Sequence, residues 1–377
     1  MNPSLSPFPD LENSAILFKP FLPGENFSLR EPWKRLATPK FRSVDVTAPA
    51  RLHFSLFDYT KMKPPSPGGG GVGISTSVFK TKINLSVDDS RKRNNDLPPS
   101  TRHIVLLFEK LTGYHKENVH IRITSEVPYS HHGYGSNVSL NTSIFYGLNV
   151  LFGNPFSERE AYEILTHNYV ENTDGQQVHW GFDTGVGEAC LLFGGFVLID
   201  EHGRFIGNIA VGEFYALMAK GNMANIALTD YLKRGLALKG ETGLVEAKIN
   251  EEVGMVHQKQ YGDQIKQFLR TELEPIFVNN RKEELFAKIW KLNDIGTFKR
   301  MQMSYRPDVM LDFEARSKTA GAIYSGISSA GPSMFALFDE KAKADNLIKN
   351  LPGNLSPYFD HYRVDSAGEK IETAAVH

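Results

Sequence analysis

The sequence predicts a soluble globular protein that combines strands with helices. Its 377 residues are 41% hydrophobic and 23% charged, which is close to the averages of folded proteins. Residues 118–125 alternate between polar and apolar side chains, as a half-buried strand does, and residues 139–152 carry apolar side chains at helical spacing. The length favours two or three domains.

A glycine-rich turn joins this strand to this helix. The turn and its approach contain Ser130, His131, His132, Gly133, Gly135, Ser136 and Asn137. Such a turn directs free backbone N–H groups and the positive end of the helix at one point, which suits an anion, most often phosphate. An ordinary strand-to-helix connection is the alternative. The two histidines are not expected to bind zinc, because adjacent residues do not share a face of a strand or helix.

Charge and cysteine content exclude several classes of function. With 42 basic and 43 acidic residues the net charge is -1, so we expect no binding to nucleic acid or to a membrane surface. The single cysteine, Cys190, lies in an apolar run and is expected to be a buried structural thiol. The sequence shows no apolar run that could span a bilayer and no signal pattern in residues 1–10, so a cytoplasmic location is expected.

The first part of the chain divides into an arm, two strands and a loop. Residues 1–43 predict an irregular arm that packs on the body or on a partner, which is compatible with a homodimer. Val44–Asp58 predicts a strand, a proline break and a second strand with Arg51, His53 and Ser55 on one face. Alternation alone favours solvent for that face, and a functional site is the alternative.

A run of glycines follows in the loop 61–75. Gly68, Gly70 and Gly73 match the spacing of a dinucleotide-binding motif, but the next residues, 74–87, alternate like a strand instead of opening a helix. We therefore reject the dinucleotide interpretation. Gly70 and Gly71 fit a mobile lid or a backbone that approaches a ligand closely.

The other predicted elements follow from periodicity and from glycine punctuation. Helices are predicted at 101–111, 158–171, 255–300 and 340–351, a strand at 210–220, a short helix leading into a strand at 181–199, and a Gly/Ser loop entering a strand at 325–339.

Three motifs in this order resemble the GHMP superfamily of small-molecule kinases. They are Pro49-Ala50-Arg51, the turn Gly133–Ser136, and the run Ser328–Ser333. The resemblance covers roughly residues 44 to 340. It implies an α+β protein of two lobes, a ribosomal-S5-like domain at 44–215 and a ferredoxin-like domain at 216–377, with the active site in the cleft between them.

One branch of that superfamily looks more similar still. Kinases of the mevalonate type place a catalytic aspartate where this chain has Gly187. The β-ribofuranosylaminobenzene 5′-phosphate synthases have glycine there, and their motifs resemble Arg51–Asp58, Thr184–Gly187 and Ser328–Ser333. The resemblance implies a reaction that joins phosphoribosyl pyrophosphate to an aromatic carboxylic acid, with loss of carbon dioxide and pyrophosphate, and implies Mg²⁺ as cofactor. Relatives in C-nucleoside pathways use heteroaromatic acids.

The proposed chemistry suggests site residues. Arg51, His53 and Asp183 are expected to be catalytic, and Glu188 is expected to hold the metal, with the converse assignment of Asp183 and Glu188 to the metal and the ribose hydroxyls as the alternative. Arg51 would bind a phosphate or the acceptor carboxylate. Substrate binding is expected at the turn residues 130–137 named above and at Ser55, Asp58, Gly70, Gly71, Thr184, Gly185, Gly187, Ser328, Ser329, Gly331 and Ser333.

Departures from the branch leave the acceptor acid open. Ala330 replaces a tryptophan of the last motif, and Glu188 replaces an apolar residue. Two other functions remain as alternatives. One is an ATP-dependent kinase of the GHMP superfamily in which Asp183 or Glu188 substitutes for the missing aspartate. The other is a ligand-binding protein that kept the fold and lost the chemistry, which the altered Gly-Tyr-Gly-Ser-Asn turn favours.

Overall fold

A computed structural model describes the chain at residues 33–63, 67–87, 97–114, 119–125, 133–172, 178–210, 214–219, 242–296, 307–329, 333–353, 359–364 and 369–377. In these ranges no helix combines the length and the apolar character needed to cross a membrane.

The first sheet contains six of the described strands and is organised around a long strand, β2. β1 (Ser43–Ser55), β2 (Gly71–Val87), β3 (Val119–Ser125), β6 (Phe196–Ile199), β7 (Phe205–Ile209) and β12 (Glu372–Val376) form this sheet. β2 pairs antiparallel with β1 along one edge, and its other edge holds β6 at one end and β3 at the other. β4 (Val170–Asn172) and β5 (Val178–Trp180) form a separate short hairpin.

Two helices pack on one face of the first sheet, and two more pack on those helices. The four are α1 (Pro99–Thr112), α2 (Ser136–Leu151), α3 (Glu158–Thr166) and α4 (Val186–Phe193). Their apolar side chains share one core with residues of β1 and β2 such as Val46 and Leu85. Almost every residue of α2 and α4 is buried, including small polar residues of α2 such as Ser139 and Thr142.

The second sheet is four-stranded in the described residues and antiparallel, in the order β11 (Phe359–Val364), β8 (Phe214–Ala219), β10 (Met334–Phe338) and β9 (Tyr324–Ile327). Around it lie α5 (Thr242–Phe268), a π-helical turn (Leu269–Leu273), α6 (Glu274–Val278), α7 (Lys282–Ile295), α8 (Pro307–Thr319) and α9 (Lys341–Lys349). Phe54 of β1 packs against Tyr324 of β9 and Phe335 of β10, with ring centroids 4.6 and 5.4 Å away. The two sheets therefore share a core at this end of β1.

The structure corrects several of the predicted elements. β1 is one strand without a break at Pro49. Proline has no N–H to donate to a neighbouring strand, and the register shift between Pro49 and Ala50 accommodates it within the sheet. The predicted loop 61–75 ends earlier, since β2 begins at Gly71 and pairs there with β6. The helix predicted at 158–171 ends at Thr166, where the Asn168 side chain binds the Ile164 carbonyl.

Other predictions are confirmed with shifted ends. The helices predicted at 101–111 and 340–351 and the helical region 255–300 are present, as is the short helix leading into a strand within 181–199. The strand predicted at 210–220 is β8. Sequence reasoning missed β12, whose residues 372–376 pair with β1 and so belong to the first sheet. Cys190 is fully buried, as expected.

Candidate active site

Three segments far apart in the sequence meet at the carbonyl oxygen of Gly133. Arg51 Nη1 donates to this oxygen at 2.8 Å, and Ser328 Oγ donates to it at 2.5 Å. Ser328 Oγ also accepts a hydrogen bond from the His53 backbone N–H at 3.1 Å. One residue from each of the three motifs therefore contributes to one hydrogen-bonded cluster, with sequence separations of 82, 195 and 275 residues.

The Arg51 side chain lies flat across Gly135. A Cβ atom at Gly135 would stand 2.9 Å from Arg51 Cγ, and Gly135 has a φ of +72°. Both facts require glycine at this position. Gly135 precedes the first residue of α2, and the helix has no side-chain cap. Its first N–H groups are therefore left for a ligand, which is the arrangement that binds anions.

A second helix begins beside the first. The second residue of α4, Gly187, packs against the third residue of α2, Val138, so closely that a Cβ at 187 would lie 2.7 Å from Val138 Cγ1. α4 also begins after a left-handed glycine, Gly185, and its first N–H, on Val186, donates to Thr184 Oγ1 at 3.4 Å. The positive ends of two helices thus converge at one corner. The same packing leaves no room for a side chain at 187.

Two buried carboxyl groups stand at this corner. Asp183 is 8% exposed and Glu188 is 2% exposed. Asp183 Oδ1 accepts from the Gly185 N–H at 2.9 Å, whereas the buried atoms Asp183 Oδ2 and Glu188 Oε2 have no hydrogen-bond donor among the described residues. Such a pair needs a proton or a cation between its oxygens.

Burial dominates the ionisation of this pair. It raises the pKa of Asp183 to about 6, although the Gly185 N–H and Arg51 favour the charged form. Burial, together with the charge on Asp183, raises the pKa of Glu188 well above its usual range. Burial also lowers the pKa of Arg51, and the nearby acidic groups oppose that change. At neutral pH we expect an Arg51 cation facing a carboxyl pair that retains a proton.

The same two carboxyl groups fit the ligand set of Mg²⁺. Mg²⁺ is commonly held by one or two carboxylates, with water and substrate phosphates completing its coordination. The two orphaned oxygens supply those carboxylates. Within the described ranges no cluster of three or more His, Cys, Asp or Glu side chains could hold a metal ion by itself.

The polar face of β1 is not on the solvent side, contrary to the expectation from alternation. His53 is 1% exposed and Ser55 is fully buried. The glycine segment covers this face, since a Cβ at Gly71 would stand 2.3 Å from His53 Nε2. Burial, aided by the charge on Arg51, lowers the pKa of His53 well below its usual value, so its ring is neutral.

The late Ser-rich loop is held against β1. The Ser329 N–H donates to the His53 carbonyl at 2.8 Å, and the Ser328 N–H donates to the Ser333 carbonyl at 3.0 Å. Ser329 has a φ of +57°, an uncommon conformation for a residue with a side chain. The loop is therefore strained where it contacts the site, as binding loops often are.

Some of the other predicted site residues lie beside the cluster at Gly133, and others lie away from it. Ser136 and Asn137 open α2, and Thr184 precedes Gly185. Gly70 packs on the Asp200 carbonyl. Asp58 lies past the far end of β1 and binds Lys266 at 2.7 Å, a partner that sequence patterns do not identify. Ser130, His131, His132 and Gly331 lie outside the described residues.

The overall structure is similar to several solved enzymes. Homoserine kinase from Cytophaga hutchinsonii is 16% identical, with 93% of this chain and 100% of that chain covered and a TM-score of 0.56. L. major mevalonate kinase in complex with R-mevalonate is 12% identical, with 89% and 100% covered and a TM-score of 0.56. Mevalonate pyrophosphate decarboxylase from Streptococcus pyogenes is 14% identical, with 88% and 100% covered and a TM-score of 0.57.

The chain has the GHMP-kinase-like fold. The predicted α+β class is thereby confirmed. No protein-family model and no curated protein sequence matches the chain. At identities of 12–16% the structural likeness concerns the fold, and the GHMP-kinase-like fold supports both kinases and a decarboxylase.

Proposed function

We propose that the protein is a Mg²⁺-dependent transferase that joins phosphoribosyl pyrophosphate to an aromatic or heteroaromatic carboxylic acid. The new bond links the anomeric carbon of the sugar to the ring carbon that carried the carboxylate. Carbon dioxide and pyrophosphate leave. The proposal combines the motif resemblance with the geometry of the corner between α2 and α4.

The convergence of two helix N-termini beside Arg51 is the observation that carries the proposal. Val138 of α2 and Gly187 of α4 are adjacent, so the positive ends of both helices face one small region, although the first N–H of α4, on Val186, already donates to Thr184 Oγ1 at 3.4 Å. A diphosphate has two groups to bind, and two helix ends suit it better than one. Arg51 Nε is buried and has no hydrogen-bond partner in the described part of the chain, so it is one more donor for a ligand.

Each residue then has a role in the departure of pyrophosphate. The N–H groups of both helices bind the departing oxygens, and Arg51 orients them while it holds the Gly133 turn. Asp183 and Glu188 would hold Mg²⁺, which supplies positive charge to the leaving group when it is bound. The buried surroundings of the carboxyl pair exclude water, which would otherwise attack the sugar.

The packing of Gly187 supports this reaction over phosphoryl transfer that uses an aspartate at position 187. A side chain at this position would clash with Val138, so no carboxylate can stand there without a rearrangement. Decarboxylative coupling needs a stabilised leaving group and close positioning, and it needs no strong base. The absence of that aspartate is therefore compatible with the proposed chemistry.

An ATP-dependent small-molecule kinase is the second candidate. Two of the three structures compared above are kinases. The pKa of Asp183, raised to about 6 by burial, suits a group that accepts a proton from a substrate hydroxyl near neutral pH. In this candidate Asp183 takes the role of the aspartate that Gly187 replaces.

Ligand-dependent stability separates the two candidates. Thermal unfolding is measured with Mg²⁺ and either phosphoribosyl pyrophosphate or ATP, each alone and with a panel of aromatic acids. A ligand at a hundred times its dissociation constant adds about 2.7 kcal/mol to the free energy of unfolding. The proposal expects stabilisation by phosphoribosyl pyrophosphate and none by ATP. Stabilisation by ATP alone would favour the kinase.

A further inference from the structure

Ser75 lies directly opposite Arg51 in the first sheet. The register of β1 and β2 pairs Arg51 with Ser75 and His53 with Gly73. Residues that are paired in an antiparallel ladder carry their side chains on the same face of the sheet. Ser75 therefore shares the face that carries Arg51 and His53, although none of the sequence motifs includes it.

This face lies under the corner where α2 and α4 begin. A Cβ at Gly73, two residues before Ser75, would stand 2.4 Å from Cγ1 of Val186, the first residue of α4. A Cβ at Gly135, which precedes α2, would stand 3.0 Å from Arg51 Nε. Ser75 is thus placed on the sheet beneath the N-terminal ends of both helices.

The hydroxyl of Ser75 is buried without a partner. Ser75 is 1% exposed, and its Oγ has no hydrogen-bond partner among the described residues. Buried hydroxyls are usually hydrogen-bonded, because an unpaired polar group in the interior destabilises the fold. Arg51 Nε is in the same condition in the described part of the chain. Two residues that are paired across the strands therefore each hold a donor without an acceptor.

The shared need of these two donors is an acceptor oxygen. A guanidinium only donates, whereas a hydroxyl can donate or accept, and Arg51 Nε does not donate to Ser75 Oγ in the structure. The orphaned oxygens of Asp183 and Glu188 receive no donor from the described residues, so the carboxyl pair is not the acceptor either. A phosphate group accepts several hydrogen bonds at once, and the positive ends of the two helices favour its charge.

Ser325 shows what a structural hydroxyl of this kind looks like. Its side chain is fully buried, and its Oγ also has no partner among the described residues. Ser325 lines a cavity of about 10 Å³ together with Asn293 and Phe313, which is close to the smallest space that holds a water molecule. A buried water therefore suffices to explain Ser325, and the same residue type supplies a control for Ser75.

We infer that Ser75 is a substrate-binding residue whose hydroxyl donates, together with Arg51 Nε, to one phosphate group of a bound diphosphate. Ser75 fixes that group on the sheet, and the helix ends bind it from above. The inference deepens the proposed function and rests on it for the identity of the natural substrate, phosphoribosyl pyrophosphate. The contact with the diphosphate is tested with inorganic pyrophosphate.

Calorimetric titration of the full chain with inorganic pyrophosphate, with and without Mg²⁺, tests the role of Ser75. Ser75→Ala removes the hydroxyl and keeps a side chain that fits the same space. Its dissociation constant for pyrophosphate should rise by about tenfold or more, because a hydrogen bond to a charged group is lost. Its midpoint of unfolding in urea should stay the same or rise, because alanine leaves no buried hydroxyl unpaired.

Ser325→Ala is the matched control. It also removes a buried hydroxyl, and it should bind pyrophosphate as the unchanged chain does. A purely structural role for Ser75 would move only the urea midpoint of Ser75→Ala and leave its pyrophosphate affinity unchanged.

A double-mutant cycle with Arg51→Lys tests whether the two donors bind the same phosphate group. Lysine keeps the positive charge and has no N–H group in the place of Nε. If the group is shared, the double variant Arg51→Lys/Ser75→Ala should lose less affinity than the product of the two single losses. A loss equal to that product would contradict a shared phosphate group.

The outcomes separate this inference from the proposed function. Unchanged pyrophosphate affinity in Ser75→Ala, equal losses in Ser75→Ala and Ser325→Ala, or no binding of pyrophosphate to the unchanged chain overturns the inference. Ser75-dependent binding of pyrophosphate with no stabilisation by phosphoribosyl pyrophosphate supports the role of Ser75 and contradicts the proposed transferase. Stabilisation by phosphoribosyl pyrophosphate that is equal in Ser75→Ala and in the unchanged chain supports the transferase and overturns the role of Ser75.

Discussion

Replacing Asp183 by asparagine should stabilise the protein at high pH. Burial raises the pKa of Asp183 from 3.8 to about 6. Between these values the folded state binds more protons than the unfolded state, so the carboxyl group lowers stability progressively as the pH rises, and its full penalty is reached above about pH 6. At 1.36 kcal/mol per pKa unit, the penalty is about 3 kcal/mol at pH 8 and roughly half of that at pH 5.

Asparagine removes the charge and keeps the local structure. Its Oδ1 can still accept from the Gly185 N–H, a bond of 2.9 Å in the structure. Urea unfolding of Asp183→Asn should therefore show a gain of about 3 kcal/mol at pH 8 and a gain of roughly half of that at pH 5. Activity should fall, since functional sites often retain destabilising charges.

The control for this experiment is a carboxylate on the surface. Asp312 pairs with Arg316 at 2.9 Å on α8 and is 41% exposed, so Asp312→Asn should change stability by less than about 0.5 kcal/mol at either pH. Equal gains for Asp183→Asn at pH 5 and pH 8, or a loss at pH 8, would refute the argument that burial of the ionised Asp183 carboxylate lowers stability.

Four further changes test single contacts. Gly135→Ala should lower the free energy of unfolding, measured by urea denaturation, by more than about 1 kcal/mol, because alanine is strained at a φ of +72° and its Cβ would contact Arg51. The control is Gly353→Ala, where a Cβ meets no atom within 4 Å, and its effect should be smaller. Ser329→Gly should raise the free energy of unfolding by up to about 1 kcal/mol, because glycine adopts a positive φ without strain. Asn154→Gly, at a φ of 59°, should gain less, since asparagine tolerates this conformation. A loss of stability in Ser329→Gly would contradict the strain at Ser329. Gly187→Asp should cost about 1–3 kcal/mol by overpacking, and Val138→Ala should recover part of this loss in a double-mutant cycle; additive losses would show that the Val138 contact is not the cause. Arg51→Lys keeps the positive charge and loses the planar guanidinium, which can bind a phosphate with two N–H groups. The apparent affinity for phosphoribosyl pyrophosphate, measured from thermal stabilisation, should therefore fall at least tenfold. Unchanged affinity would show that Arg51 is not part of the site.

The sequence predicted local structure better than the environment of each residue. The apolar spacing of 139–152 identified α2, and the helix starts at Ser136 because Gly135 adopts a left-handed conformation before it. The polar face of β1 could not be assigned in the same way. An alternating strand looks identical whether its polar face meets water or a folded loop, and here the covering residues are separated from β1 by up to 275 residues.

Long-range pairing explains what sequence reasoning missed. β12 carries small residues without alternation, and it is a strand because it pairs with β1, more than 300 residues earlier in the chain. Lys266 lies on a helix whose spacing identifies core positions such as Ile265 and Phe268, but spacing does not show that the lysine reaches Asp58. Such contacts are set by tertiary packing.

Product formation tests the central claim most directly. The full chain is incubated with Mg²⁺, phosphoribosyl pyrophosphate and aromatic acids labelled at the carboxyl carbon, and the release of pyrophosphate and of labelled carbon dioxide is followed together. The account predicts that at least one acid releases both products in equal amounts, and that Arg51→Met and Asp183→Asn strongly reduce both. Consumption of ATP with a hydroxyl substrate, with no release of carbon dioxide from any acid, would contradict it.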